Sequence, residues 1–213
     1  MTSKSSSKAR RVLIAAALSA VITAVAATSA QAGLLSGLLV EAAPSCAPKP
    51  VSQPFRSVDG DAASYMLMPG GTFESGAPGW SLSNARVVTG NESFHVHAGG
   101  DSKSLSLSPG GSVTSPTICV GLEHPTMRFF ARSSGLLPVL SVEVIVRTSL
   151  GLKLPVPLGV VTPRSSWRPT QRFIVLANLL PLLPGNYTPV SFRFTAVTGS
   201  WWIDDVYVDP KKH

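Results

Sequence analysis

The sequence lacks the short motifs that announce common chemistries. It has no Gly-x-Ser-x-Gly turn for an acyl-transfer serine, no phosphate loop and no His-Glu-x-x-His zinc helix. It has only two cysteines and no Cys-x-x-Cys pair, which argues against a redox dithiol. Charged residues make up only 14% of the 213 residues and aromatics 7%, so neither a basic tract for nucleic acid nor a chain of stacking rings is present. No long amphipathic helical pattern occurs either.

What is present begins with an export signal. Lys4, Lys8, Arg10 and Arg11 form a basic start, Val12 to Ala27 an apolar run, and Ala30-Gln31-Ala32 a small-x-small cleavage site. The apolar run falls short of the ~20 residues that cross a bilayer, so the mature chain, starting near Gly33, is expected at the cell surface or outside it with no stable membrane insertion. Removing residues 1–32 takes away four basic residues and no acid. The formal charge drops from +7 to +3, with 14 Lys and Arg against 11 Asp and Glu. A partner such as nucleic acid is therefore not expected. Both cysteines remain, and in an oxidising compartment an even count favours a Cys46–Cys119 disulfide. It would close a span of 73 residues, contributing roughly 3 to 5 kcal/mol in the chain-entropy model. Two free thiols or an intermolecular bridge are the alternatives.

Residues 33–54 form a Pro- and Ala-rich extension, 55–209 the folded domain and 210–213 a basic tail. The domain reads as short runs of period-two alternation. Leu140, Val142, Val144 and Val146 make one apolar face opposite Ser141, Glu143 and Arg147; Val190, Phe192, Phe194 and Ala196 make another. Leu105 and Leu107 alternate with serines, and Phe94 and Val96 with His95 and His97. Further strands are expected at 80–82, 86–89, 117–120, 127–132, 159–162, 167–175 and 201–208. Turns are expected at Pro69-Gly-Gly71, Ala98-Gly-Gly100, Pro109-Gly-Gly111 and Pro184-Gly185. Strands without crossover helices imply an all-β antiparallel sandwich. The apolar segment Leu176 to Pro184 lacks alternation and is read as core cover, or more sharply as an interaction surface.

Gly71-Thr-Phe-Glu74-Ser-Gly-Ala-Pro-Gly-Trp80 opens the domain and Trp202-Ile-Asp-Asp-Val-Tyr-Val208 closes it. The pair resembles the galactose-binding-like jelly rolls, particularly the carbohydrate-binding modules of bacterial polysaccharide hydrolases. That resemblance implies a secreted, non-catalytic module for carbohydrate or a cell-envelope glycan. An extracellular structural or protein-interaction domain is the alternative. It also implies a structural calcium ion held by Glu74 and Asp204 with the Thr72 carbonyl, against the plainer reading that Asp204 accepts from a turn amide or an arginine. Adjacent Asp204 and Asp205 are expected on opposite faces, Asp204 with Trp202, Val206 and Val208. Ligand-stacking candidates are Trp167 and Trp201, with Trp80 assigned to packing.

Other chemistry is set aside. His95 and His97 share a face but lack a defined partner set for a metal. Gly100-Asp-Ser102 lacks the later Asp-x-x-His of an esterase, and Asp204-Asp205 cannot flank a glycosidic bond. The acceptor patterns at Asn91 and Asn186 are read as turns.

Overall fold

The computed structural model describes residues 49–121, 125–147, 152–175 and 187–209. All belong to the unit Val40–His213. The elements are β1 (Val51–Ser52), a single helical turn α1 (Arg56–Asp59), β2 (Tyr65–Leu67), β3 (Ser81–Thr89), β4 (Lys103–Thr114), β5 (Ile118–Gly121), β6 (Thr126–Arg147), β7 (Lys153–Val161), β8 (Arg168–Pro169), β9 (Phe173–Ile174) and β10 (Tyr187–Asp209).

The spine is β10, antiparallel to every strand it meets. One of its edges takes β2, β4 and β5 in succession, and the other pairs with β6 from Val190↔Val146 to Asp209↔Thr126. β3 extends the sheet beyond β4, β1 beyond β2, and β7, β8 and β9 beyond β6. An antiparallel sheet this long must fold over to bury one face, and it bends where the ladders lose register, between Ser83 and Ala85, Thr195 and Trp201, and Ala196 and Ser200. Left-handed backbone at Asn84, Gly110, Gly135, Leu137 and Gly199 marks the same level on four strands. Gly199 is obligatory there, since a Cβ would stand 2.5 Å from Pro138 Cβ and 2.7 Å from the Ser134 carbonyl.

The fold-over makes a jelly-roll-like sandwich. Alternate residues of both halves meet in the main core. Phe129 from one half sets its ring edge-on to Phe194 from the other at 5.0 Å, and Trp80 stacks on Phe194 at 6.1 Å. The expected inward residues Leu105, Leu107, Leu140, Val142, Val144, Val146, Val190, Phe192, Phe194 and Ala196 are all buried in it. A second, smaller core of Phe55, Tyr65, Phe130 and Tyr207 forms on the outer face of the half built from β2, the start of β6 and the end of β10.

Several expectations are corrected. The runs at 82 and 86, 127–132 and 140–147, and 190–196 and 201–208 are not separate strands but the two arms of β3, β6 and β10. Pro109-Gly-Gly111 is a bend inside β4 and not a hairpin turn. Residues 94–97 form a loop, because Phe94 and Val96 reach down to the second core from above the sheet instead of pairing within it. The tail of the extension, Val51–Ser52, pairs with Met66 and Tyr65 as β1. Leu176 to Pro184 lies outside the described residues. Among the described residues no helix is long and apolar enough to cross a membrane.

Candidate functional site

Two features on the outer face draw side chains together: an acidic cluster around the closing strand, and a row of aromatics and arginines beside it.

The acidic cluster forms because β10 bulges. Its register with β6 shifts between Asp204 and Tyr207, and Asp205 adopts φ +48°, a conformation Asp tolerates better than most residues. Strict alternation fails at that point: Trp201, Ile203, Val206 and Val208 all enter the main core. Asp204 consequently does not share a face with Val206 and Val208. Its Oδ2 accepts from the Glu92 amide at 2.9 Å and its Oδ1 from the Asp205 amide at 2.9 Å. Both oxygens are thus engaged by amides, the plainer of the two expectations for this residue. Burial, with the charge of Asp205 next to it, pushes Asp204 up to about 9. Asp205 is the contrasting case. It is 1% exposed, and neither carboxylate oxygen has a hydrogen-bond partner. Burial first, then the charges of Glu92, Asp101 and Glu74, push it up to about 7, against the pull of His97.

The surrounding carboxylates are held by the chain. Glu74 Oε1 accepts from the amides of Ser102 and Lys103, at 2.8 and 2.6 Å, and Lys103 Nζ reaches the Glu74 carbonyl at 2.7 Å. Glu92 accepts from the amides of Phe94 and Val96, tying down the 91–97 loop. His97 Nδ1 meets Asp101 Oδ2 at 2.7 Å, while His95 faces Asn91. Thr72 Oγ1 accepts a long 3.5 Å contact from the Glu74 amide, and the described hydrogen bonds leave the Thr72 carbonyl unclaimed. Gly71 lets this opening motif press on the closing strand, for a Cβ would lie 3.0 Å from the Val206 carbonyl. Among the described residues no three Asp, Glu, His or Cys side chains converge closely enough to grip a metal alone.

The bulge also reverses the expectation for the tryptophan pair. Trp201, expected as a ligand platform, is fully buried and donates Nε1–H to the Thr198 carbonyl at 3.2 Å. Trp202 is the half-exposed ring. It stands in a cross-strand row in which Arg86 pairs with Ser106, Ser106 with Trp202 and Trp202 with Arg132. The Arg132 guanidinium lies 4.2 Å from the Trp202 centroid and 5.4 Å from that of Trp167, so the expected platform residue Trp167 does join this face. Arg132 Nε is buried without a partner. Beside it, Arg132, Pro138 and Arg164 help line an open hollow of about 450 Å³. Trp80 packs in the core as expected, its Nε1–H on the Pro69 carbonyl at 2.9 Å. Arg132 is the residue that the sequence reading missed; the alternation Arg128, Phe130, Arg132 was its only signal.

Next to this row the outer face is closed by the N-terminal segment. Asp61 accepts from Arg128 at 2.7 Å, from Arg172 at 2.5 and 3.0 Å and from Tyr65 at 2.7 Å, while the Arg128 guanidinium sits 4.3 Å over the Phe55 ring. Cys119 is half-buried on β5, and Cys46 lies outside the described residues.

No protein-family model and no curated protein matches the chain. Solved structures do resemble it. Carbohydrate-binding modules are among them. A Clostridium thermocellum xylanase, comprising a family 22 carbohydrate-binding module and a catalytic module with xylohexaose, is 13% identical over 69% of this chain and 29% of its own, with a TM-score of 0.49. A family 22 xylan-binding domain from Paenibacillus barcinonensis is 13% identical over 67% of this chain and 93% of its own, TM-score 0.45. The enzymatically active domain of a bacteriophage CBA120 tailspike is 15% identical over 67% and 21%, TM-score 0.46. The chain thus spans under a third of the tailspike and the xylanase. At these values the likeness is one of general architecture.

Proposed function

We propose that the chain is an exported, non-catalytic carbohydrate-binding module whose ligand lies on the outer face across Trp202, Arg132 and Trp167. The observation that carries this reading is the row itself. Two half-exposed tryptophans are held by one guanidinium, on a sheet face whose neighbour Ser106 is small enough to leave room above the strand. Sugar rings present C–H faces that stack on such indoles, and a fixed aromatic loses little entropy on binding. The test is affinity electrophoresis and calorimetry with purified protein against a panel of soluble polysaccharides. Saturable binding is expected, weakened about tenfold or more by Trp202→Ala and by Trp167→Ala. Absence of binding, or binding indifferent to both substitutions, would overturn the assignment.

The reading includes a structural calcium ion, centred on Asp205 instead of Asp204. The two unpartnered oxygens of Asp205 fit a hard cation that takes oxygen ligands, and the Thr72 carbonyl with Glu74 Oε2, the oxygen not taken by the Ser102 and Lys103 amides, would add to the shell. A bound divalent ion would hold Asp205 in its ionised form. We also place cleavage after Ala32 and a Cys46–Cys119 bridge in this proposal, the latter supported by the absence of a free cysteine among the described residues.

A further inference from the structure

Beyond the clamp of Arg128 and Arg172 on Asp59 and Asp61, four arginines have no acidic partner among the described residues. Arg86, Arg132, Arg164 and Arg168 make no side-chain hydrogen bond or ion pair among the described residues. Arg132 is the most constrained of them, its guanidinium carbon 4.2 Å from the centroid of Trp202 and 5.4 Å from that of Trp167. Arg164 is set beside it by the backbone. The Ser133 amide donates to the Arg164 carbonyl at 2.6 Å, and Ser133 Oγ both donates to that carbonyl and accepts from the Arg164 amide, each at 3.1 Å. The hollow that the two arginines border has Ser133, Ser134 and Ser165 as further lining and no carboxylate. The one acid two residues from Trp202, Asp204, is buried with both oxygens on amides.

A neutral sugar needs no such collection. Hydroxyl groups are satisfied by amides, serines and carboxylates, whereas a planar guanidinium with unanswered donors matches the two oxygens of a carboxylate or sulfate. A stacked arginine is also pre-organised, so little rotamer freedom is lost when it engages an anion.

We propose that this face binds an anionic glycan, its acidic group received by Arg132 and Arg164 in the 450 Å³ hollow and its sugar rings by Trp202 and Trp167. The proposal rests on the reading of this face as a sugar platform and names the class of sugar.

Calorimetry at physiological salt with the purified protein separates the outcomes. The probes are polygalacturonate, fully methyl-esterified polygalacturonate, dextran sulfate, neutral galactan and neutral xylan. Polygalacturonate is expected to bind, its methyl ester to lose roughly 10- to 100-fold, the scale of a charge-assisted hydrogen bond, and Arg132→Gln and Arg164→Gln each to bring the acid toward the ester. Dextran sulfate binding through the same arginines with polygalacturonate silent would support the anionic class and assign sulfate. Arg164 is exposed, so its variant remains informative if Arg132→Gln unfolds. Equal binding of acid and ester, or galactan or xylan binding lost in Trp202→Ala and unchanged in Arg164→Gln, would overturn the anionic assignment and leave the sugar platform standing. Polyanion binding unchanged in Trp202→Ala and in both arginine variants would be simple ion exchange and would overturn it as well.

Discussion

Replacing Asp61 by Asn tests how the outer face is closed. Asp61 is 6% exposed and Arg128 5%, and the carboxylate also receives Arg172, Tyr65 and the Ala63 amide. Burial alone would raise its pKa, but the hydrogen bonds from Arg172, Tyr65, Ala63 and Arg128 outweigh it and hold Asp61 well below the usual carboxylate range. Asn keeps the shape and one acceptor but removes the charge opposite a buried guanidinium. Breaking one partner of a buried pair costs about 3 to 5 kcal/mol. Arg128 retains Asp59 and the Thr170 carbonyl at 2.9 Å, so the loss should fall near the lower end, about 3 kcal/mol. Arg172→Gln is the control, because its side chain is 55% exposed and an exposed partner contributes about 1 kcal/mol or less. Urea unfolding followed by tryptophan fluorescence measures both, with hydrogen exchange at the Asp59 and Gly60 amides, which bond to Phe55 and Arg56, reporting whether the segment loosens first. A cost below about 1 kcal/mol for Asp61→Asn, or equal costs for the two variants, would refute the argument. The folded pKa lies below the unfolded value, so this contribution is full above the ordinary carboxylate range and is lost only as the pH falls into strong acid.

The other predictions concern the closing strand and the termini. Burial pushes Asp205 up to about 7 and Asp204 up to about 9 from an ordinary value of 3.8, so without calcium the stability should fall as pH rises from about 4, through about 7 for Asp205 and on to about 9 for Asp204. Calcium should remove the Asp205 part of that fall, and Asp205→Asn should make the profile shallower and remove the calcium effect; a melting temperature indifferent to calcium and chelator at pH 7 would count against the site. Export predicts a secreted chain whose N-terminal sequence begins at Gly33 and which shows no titratable thiol until reduced. A cytoplasmic protein with Met1 intact, or two free thiols, would refute that pairing of compartment and bridge.

The strands were legible wherever alternation ran unbroken, as at Leu140 to Val146 and Val190 to Ala196. Their continuity was not. Pro-Gly-Gly permits either a hairpin turn or a bend within a strand, and only pairing with β10 across the bend, through partners more than 70 residues away in sequence, decides between them. The tryptophans were inverted for a related reason. With strict alternation, Trp202 falls on the face of Val206 and Val208 and looks buried. One extra residue at Asp205 moves both valines to the face of Trp201 and frees Trp202. A left-handed Asp leaves no stronger mark in sequence than Asp itself.

Net charge is a coarse guide to a binding face. Counting all ionisable residues gives a mature chain of +3, which removes the main sequence argument for an anionic polymer partner. A ligand meets unpaired charge on one face, not the sum. Six of the nine described acids are withdrawn from that contest: Asp59 and Asp61 by Arg128 and Arg172, Glu143 by Arg193, Glu74 and Glu92 by amides, and Asp204 by burial among amides. Those ion pairs also fix which arginines remain. Arg128 and Arg172 clamp the N-terminal segment over Phe130, whereas Arg132, one step further along the same face of β6, meets two indoles in place of an acid. The segment that closes one part of the face therefore sets the limit of the open part. If Asp61→Asn releases it, binding at Trp202 and Arg132 should weaken along with stability, because a freed Arg128 and a loosened Phe55 would change the wall against which Trp167 packs.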